Sequence, residues 1–213
     1  MVKSRRANIS YFLIYFFIQY SFGIDDTHAW TSIGFEKKLS RSLSLQFEQE
    51  LRIKDQLSAF SQTLSEVSLS YKVIDGLNIN IPYRYSVFDD KFKQRLSLGV
   101  SYKYNFKPIG LKYRAKLERS FEKNNPLEDL IRNKFIIKYK LSKKIDPYCS
   151  GELFHKFNKS SNELDEYRIS FGLAVDLPRK KSIKIFYILK KEDLRTSSPD
   201  MINVYGVSYI LRL

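Results

Sequence analysis

The last nine residues, Tyr205-Gly206-Val207-Ser208-Tyr209-Ile210-Leu211-Arg212-Leu213, place an apolar or aromatic side chain at every second position. A strand alternates its faces with period two, so Leu213, Leu211, Tyr209, Val207 and Tyr205 form one continuous greasy face. The pattern recurs upstream. Over residues 92–106, Phe92, Leu96, Leu98, Val100, Tyr102, Tyr104 and Phe106 share a face that only Gln94 interrupts, while Lys93, Arg95, Ser97, Gly99, Ser101, Lys103 and Asn105 share the other. A helix would scatter these residues around a cylinder. Leu77, Ile79, Ile81, Tyr83 and Tyr85 likewise alternate with Asn78, Asn80, Pro82, Arg84 and Ser86. The chain is therefore expected to be all-β.

Ending on such a strand is similar to the C-terminal signal of bacterial outer-membrane β-barrels, which the barrel-assembly machinery reads. Those signals most often finish in Phe, and Leu213 departs from that. From Trp30 onward the chain reads as strands joined by alternating short turns and longer loops, the pattern that periplasmic turns and extracellular loops produce. Asp75-Gly76 is a tight hairpin signal. Longer loops are expected over residues 54–61, around Asn124-Asn125-Pro126 and over residues 158–165. The pattern counts to eleven strands. Single-chain bacterial barrels have an even number, so the expectation is an antiparallel up-and-down barrel of ten or twelve, with twelve preferred.

Composition agrees with a membrane barrel. No run past residue 23 approaches the ~18 apolar residues of a spanning helix, but a spanning strand needs only about 9–11 residues, half of them facing inward. Aromatics make up 15% of the chain, with 16 Phe and 15 Tyr against one Trp, which fits rings at membrane interfaces. Cys149 is the only cysteine, so no internal disulfide is possible, and no cofactor or metal motif is present. The net charge of +14 raises nucleic acid as a partner. The basic residues are spread over many strands rather than clustered, which argues against it.

The first 23 residues resemble an export signal. Lys3, Arg5 and Arg6 precede an apolar stretch from Ile9 to Ile18, and Ser21-Phe22-Gly23 offers a small-x-small cleavage site. Residues 1–23 are read as a cleavable signal peptide and residues 24–213 as the barrel. The apolar stretch is short for an uncleaved anchor.

The polar face carries Glu48, Glu50, Arg52, Glu66, Lys72, Arg84, Arg95, Arg114, Lys116, Glu118, Lys134, Lys138, Glu152 and Arg168. Of these, Glu48, Glu50, Arg52, Arg84, Arg95, Arg114, Glu152 and Arg168 are the candidate lumen-lining residues. Several sit in an ordered series of short phrases: Glu48-Gln49-Glu50-Leu51-Arg52, Tyr83-Arg84-Tyr85, Tyr113-Arg114, Arg132-Asn133-Lys134, Pro147 to Phe154, and Tyr167-Arg168. Together they resemble a Bacteroidota outer-membrane barrel family known as Domain of Unknown Function 2490, over roughly Trp30 to Leu213. The resemblance implies an outer-membrane barrel, in contact with outer-membrane lipid, without an assigned activity.

A mixed Arg/Glu lining has two functional readings. Opposite charges can pair across a narrow lumen and plug it, since an unpaired ion there is costly. Alternatively a wet, basic lumen passes small anions. A third reading is a lipid hydrolase or deacylase. His155 shares the outward parity of Leu153 and Phe157 near the extracellular end, with Asn133 at a comparable level. Its nearest nucleophiles, Ser160 and Ser161, belong to no recognisable motif, so no catalysis is expected. His28 is read as part of a flexible N-terminal stretch, and Asp25-Asp26 and Asp89-Asp90 as solvated loop ends rather than calcium ligands. The main rival is a soluble secreted barrel or sandwich that binds an apolar ligand, with the faces exchanged, greasy inside and polar outside.

Overall fold

The computed structural model describes residues 24–123, 125–157 and 162–213. The expected signal peptide over residues 1–23 lies outside the described residues, as do Ser160 and Ser161. Eleven strands form one closed barrel: β1 (Asp26–Lys38), β2 (Leu43–Lys54), β3 (Ala59–Ile74), β4 (Leu77–Val87), β5 (Phe92–Phe106), β6 (Ile109–Glu122), β7 (Glu128–Tyr139), β8 (Ile145–Phe157), β9 (Asn162–Leu177), β10 (Lys181–Glu192) and β11 (Asp200–Arg212). Each strand pairs antiparallel with the next in sequence.

The count corrects the expectation of ten or twelve. The eleven strands written in the periodicity are all there, and the barrel closes on an odd number because β1 and β11 pair in parallel, from Asp26↔Ile202 to Glu36↔Arg212. Up-and-down strands alternate direction, so an odd set brings its first and last strands together pointing the same way. Odd barrels are rare but known. In consequence β1 begins at one end of the barrel and β11 finishes at the other.

Strands run further than the periodicity suggested, and the connections shrink accordingly. The loop expected over residues 54–61 reduces to 55–58, because β3 already begins at Ala59. One end of the barrel carries the β2–β3, β4–β5, β6–β7, β8–β9 and β10–β11 strand ends, among them connections 55–58, 88–91 and 193–199, and we call it the loop end. The other, the turn end, carries 39–42, 75–76, 107–108, 140–144 and 178–180. Gly76 holds the two-residue turn between β3 and β4 at φ +85°, and a Cβ there would stand 2.5 Å from the Lys103 carbonyl oxygen. Only glycine adopts that turn without strain.

His28 and Asp26 also correct their reading as flexible or solvated residues. Both lie in β1, with His28 Nε2 2.8 Å from an Asp26 carboxylate oxygen. The same carboxylate accepts from the backbone N–H groups of Asp55 (3.0 Å) and Gln56 (2.8 Å). It thereby pins the start of β1 to the 55–58 connection, where Asp55, Gln56 and Leu57 all have positive φ. Asp89 and Asp90 are exposed, as expected of loop residues.

The faces fall as strand parity predicts. Leu96, Leu98, Val100, Tyr102 and Tyr104 of β5 point out and are 44–55% exposed, while Ser97, Gly99 and Ser101 point into the lumen and are buried. Ile81, Leu117, Phe135, Leu153, Phe171, Ile185 and Val207 extend the apolar belt around the barrel. Tyr71, Tyr104, Phe106, Tyr113 and Tyr139 are exposed toward the turn end, and Tyr85 stacks on Phe92 (5.9 Å between centroids) toward the loop end. Aliphatic side chains between two aromatic bands suit a bilayer. The rival soluble barrel needs the opposite arrangement, so the face assignment rules it out.

Candidate functional site: the lumen

All eight candidate lumen-lining residues, Glu48, Glu50, Arg52, Arg84, Arg95, Arg114, Glu152 and Arg168, line one interior cavity of about 500 Å³. It reaches the loop-end rim at Phe88 and Asp193. None of its lining residues comes from the turn-end connections. Its walls are built in two ways.

Strands β5 to β8 supply a charged wall. Glu118 and Glu152 have side chains only 0% and 3% exposed, a placement that requires partners. Glu118 accepts from Arg95 (2.9 Å) and Arg132 (3.0 Å) and forms an ion pair with Lys116 (3.3 Å). Glu152 accepts from Arg132 (2.9 Å), Lys134 (3.2 Å) and Arg114 (3.3 Å). Arg132 bridges the two carboxylates, so one guanidinium joins both halves of the wall. Sheet register explains the pairing. Lys134 and Glu152 are direct cross-strand partners, and Arg132 reaches Glu118 and Glu152 along the diagonals. Arg84 continues the wall on β4 by pairing with Glu66 (2.7 Å), directly opposite on β3.

Strands β10, β11 and β1 supply an apolar wall. Trp30, Ile188, Ile202 and Val204 form a buried cluster with Phe186 packed against it. Gly206 makes room for the Phe186 ring, because a Cβ there would lie 2.1 Å from a ring carbon. Arg52 covers the Trp30 ring at 3.8 Å, held by its pair with Glu50 (2.5 Å). Arg168, paired with Glu166, stands 5.2 Å from the Trp30 ring and 4.4 Å from the Phe154 ring, and Arg132 stands 4.5 Å from Phe154. Arg52, Trp30, Arg168, Phe154 and Arg132 thus alternate cation and ring from β2 and β1 across to β9, β8 and β7. Such contacts strengthen where water is excluded.

Sequence reasoning missed the apolar half. Trp30, Phe154, Ile188 and Val204 have inward parity, yet a search for polar faces passes over them. Lys112 and Lys184 were also missed, although Lys112 shares the parity of Arg114. At the loop-end rim Lys91 bonds Glu122 (3.0 Å), and this hydrogen bond raises the ammonium pKa. His155 is half-buried on the outer face at a β-bulge, opposite Ile131. Asn133 lies two positions toward the turn end, where its carbonyl accepts from the Tyr113 hydroxyl (2.6 Å).

A closed sheet with an apolar belt outside and charge inside defines the fold class, an outer-membrane-type β-barrel. The chain belongs to the family described as "Protein of unknown function (DUF2490)", whose model matches residues 27–200. No curated protein matches the sequence. Among solved structures, the chain resembles a "Bacterial polysaccharide outer membrane secretin" with a TM-score of 0.52 at 10% identity, over 79% of this chain and 74% of that one. It also resembles the NanC porin, with a TM-score of 0.53 at 10% identity, over 84% of this chain and 93% of that one. The likeness to both is one of fold.

Proposed function

We propose that this protein is an outer-membrane β-barrel whose lumen is blocked toward the turn end by its own side chains, leaving a basic vestibule open toward the loop end. The observation that carries the reading is the burial of Glu118 and Glu152 under shared guanidinium and ammonium groups, continuous with the cation and ring series that crosses the lumen. A small barrel filled by side chains holds its shape and admits little solute. The turn end faces the periplasm, and the β11 tail is the segment offered to the assembly machinery. Outer-membrane lipid contacts the outer belt. This reading assigns no catalytic step to His155 and no cofactor to the lumen.

The experiment is solute flux into proteoliposomes, with membrane insertion verified separately. A blocked barrel gives swelling rates no faster than empty liposomes in small sugars and amino acids. Steady flux through the unmodified protein contradicts the blockage.

A second reading, a narrow passive pore for small anions, is favoured by the cations of the inner wall. Ten Lys and Arg side chains, Arg84, Arg95, Arg114 and Lys184 among them, line the cavity against eight carboxylates. Under that reading, Arg84→Glu or Arg95→Glu shifts reversal potentials toward cation preference. Unchanged selectivity sinks it for these residues.

A further inference from the structure

We propose that the inner end of the vestibule contains an anion-binding site built from Arg114 on β6, Lys134 on β7 and Lys184 on β10, with Ser150 of β8 and Lys112 of β6 beside them. Its ligand is a small dianionic phosphate or dicarboxylate solute. The site goes beyond the blocked-barrel reading, since binding in the vestibule does not require passage.

Register and parity gather these groups. Arg114 pairs directly with Lys134, and Lys112 is the next inward residue toward the turn end. Lys184 enters from β10, on the far side of β8 and β9. Arg114, Lys134 and Lys184 nevertheless line one cavity, and the charges that weigh most on Lys112, those of Arg114, Lys184, Lys103 and Lys134, are all of like sign. The charges acting on Lys184 include one acid, Glu48, against Lys138, Arg212 and Arg114.

Counter-charge is short here. Glu152 is already shared by Arg114, Lys134 and Arg132. Lys112 and Lys184 have no ion pair among the described residues. The four cations face three carboxylates, Glu152, Glu118 and Glu48, but Glu152 and Glu118 are already shared with Arg132, Arg95 and Lys116, and a dianion balances the excess. Gathered cations without counter-ions repel one another, and an anion placed among them relieves that repulsion.

An independent observation points the same way. Ser150 is 6% exposed, and its Oγ has no hydrogen-bond partner among the described residues. A buried hydroxyl without a partner is a deficit that a ligand oxygen can fill. Arg114, Lys134, Ser150 and Lys184 all line the cavity that reaches the loop-end rim, so a solute has a route to them.

The test is isothermal titration of the folded, detergent-solubilised full chain with inorganic phosphate and, separately, succinate, at low salt because screening weakens such contacts. Wild type is expected to bind at least one of them saturably, and the two arms separate a phosphate from a carboxylate ligand. Lys112→Gln combined with Lys184→Gln should weaken binding about tenfold or more, the scale of losing two charge-assisted contacts. Lys93→Gln, at the rim, should leave binding unchanged. Heat-modifiable gel mobility verifies folding. If the double variant does not fold, Lys112→Gln alone against Lys184→Arg decides, with the first weakening binding and the second retaining it. No saturable heat with either anion from folded wild type overturns the proposal, as does undiminished binding in the folded lysine variants. Neither result bears on the blockage, which flux measures by itself.

Discussion

On one side of the lumen, β5 to β8 fill the interior with charge. On the other, β10, β11 and β1 fill it with rings and aliphatic side chains. The charged wall is specified by register, since each carboxylate must meet several cations and a slip of one residue would turn them all into lipid. The apolar wall needs only volume and parity. It closes the seam where β1 meets β11 in parallel, and packing does there what ion pairing does opposite. One guanidinium series, from Arg52 through Arg168 to Arg132, ties the two walls together through Trp30 and Phe154. The comparison teaches that a barrel interior can be sealed by two unlike chemistries, provided a common element spans them.

The comparison predicts unequal responses to substitution. Arg132→Ala should have the largest effect. It leaves Glu118 and Glu152 short of their shared partner in a buried setting, where breaking a pair costs about 3–5 kcal/mol. Reversible urea unfolding of the detergent-folded protein, followed by fluorescence of Trp30, measures it. A shift of only a few tenths of a kcal/mol would mean that the charged wall is hydrated and not a plug.

Trp30→Ala comes next, at about 3–4 kcal/mol for a buried ring. Circular dichroism replaces fluorescence as the probe. Its signature is loss of stability without a change in the ion preference of any residual conductance. Altered selectivity would show that the apolar wall also governs charge. Ile188→Val trims the same cluster and should cost about 1 kcal/mol. Smallest is Arg119→Ala. Arg119 pairs with Asp129 at 2.7 Å but is 55% exposed, so about 0.2–1 kcal/mol is expected. A larger cost there would erase the distinction between the lumen and the rim.

Much of the fold was legible because a barrel strand writes its two faces into alternating residues. The pattern of residues 92–106 and of 77–86 gave both the strands and their faces. It also gave eleven strands, and the even-number expectation displaced a correct count. Parallel closure leaves no mark in any single strand, because β1 and β11 look alike whether their neighbour runs with or against them. The eight charged residues of the lining were likewise legible from parity alone. Their partners were not. Arg132 meets Glu118 and Glu152 along diagonals that depend on the register of β7 with each of its neighbours, which no single strand's pattern fixes. Trp30 was visible as the only tryptophan, and its inward parity, shared with Ser32 and Gly34, was the signal that could have placed it in the lumen.

The measurement closest to the central claim is single-channel conductance in planar bilayers, comparing wild type with the combined Glu118→Gln, Glu152→Gln variant. Inserted wild-type protein should be electrically quiet. The variant, with five cations no longer neutralised, should show discrete anion-preferring steps. Reproducible steps of equal size from both proteins would contradict a lumen sealed by that ion-pair wall.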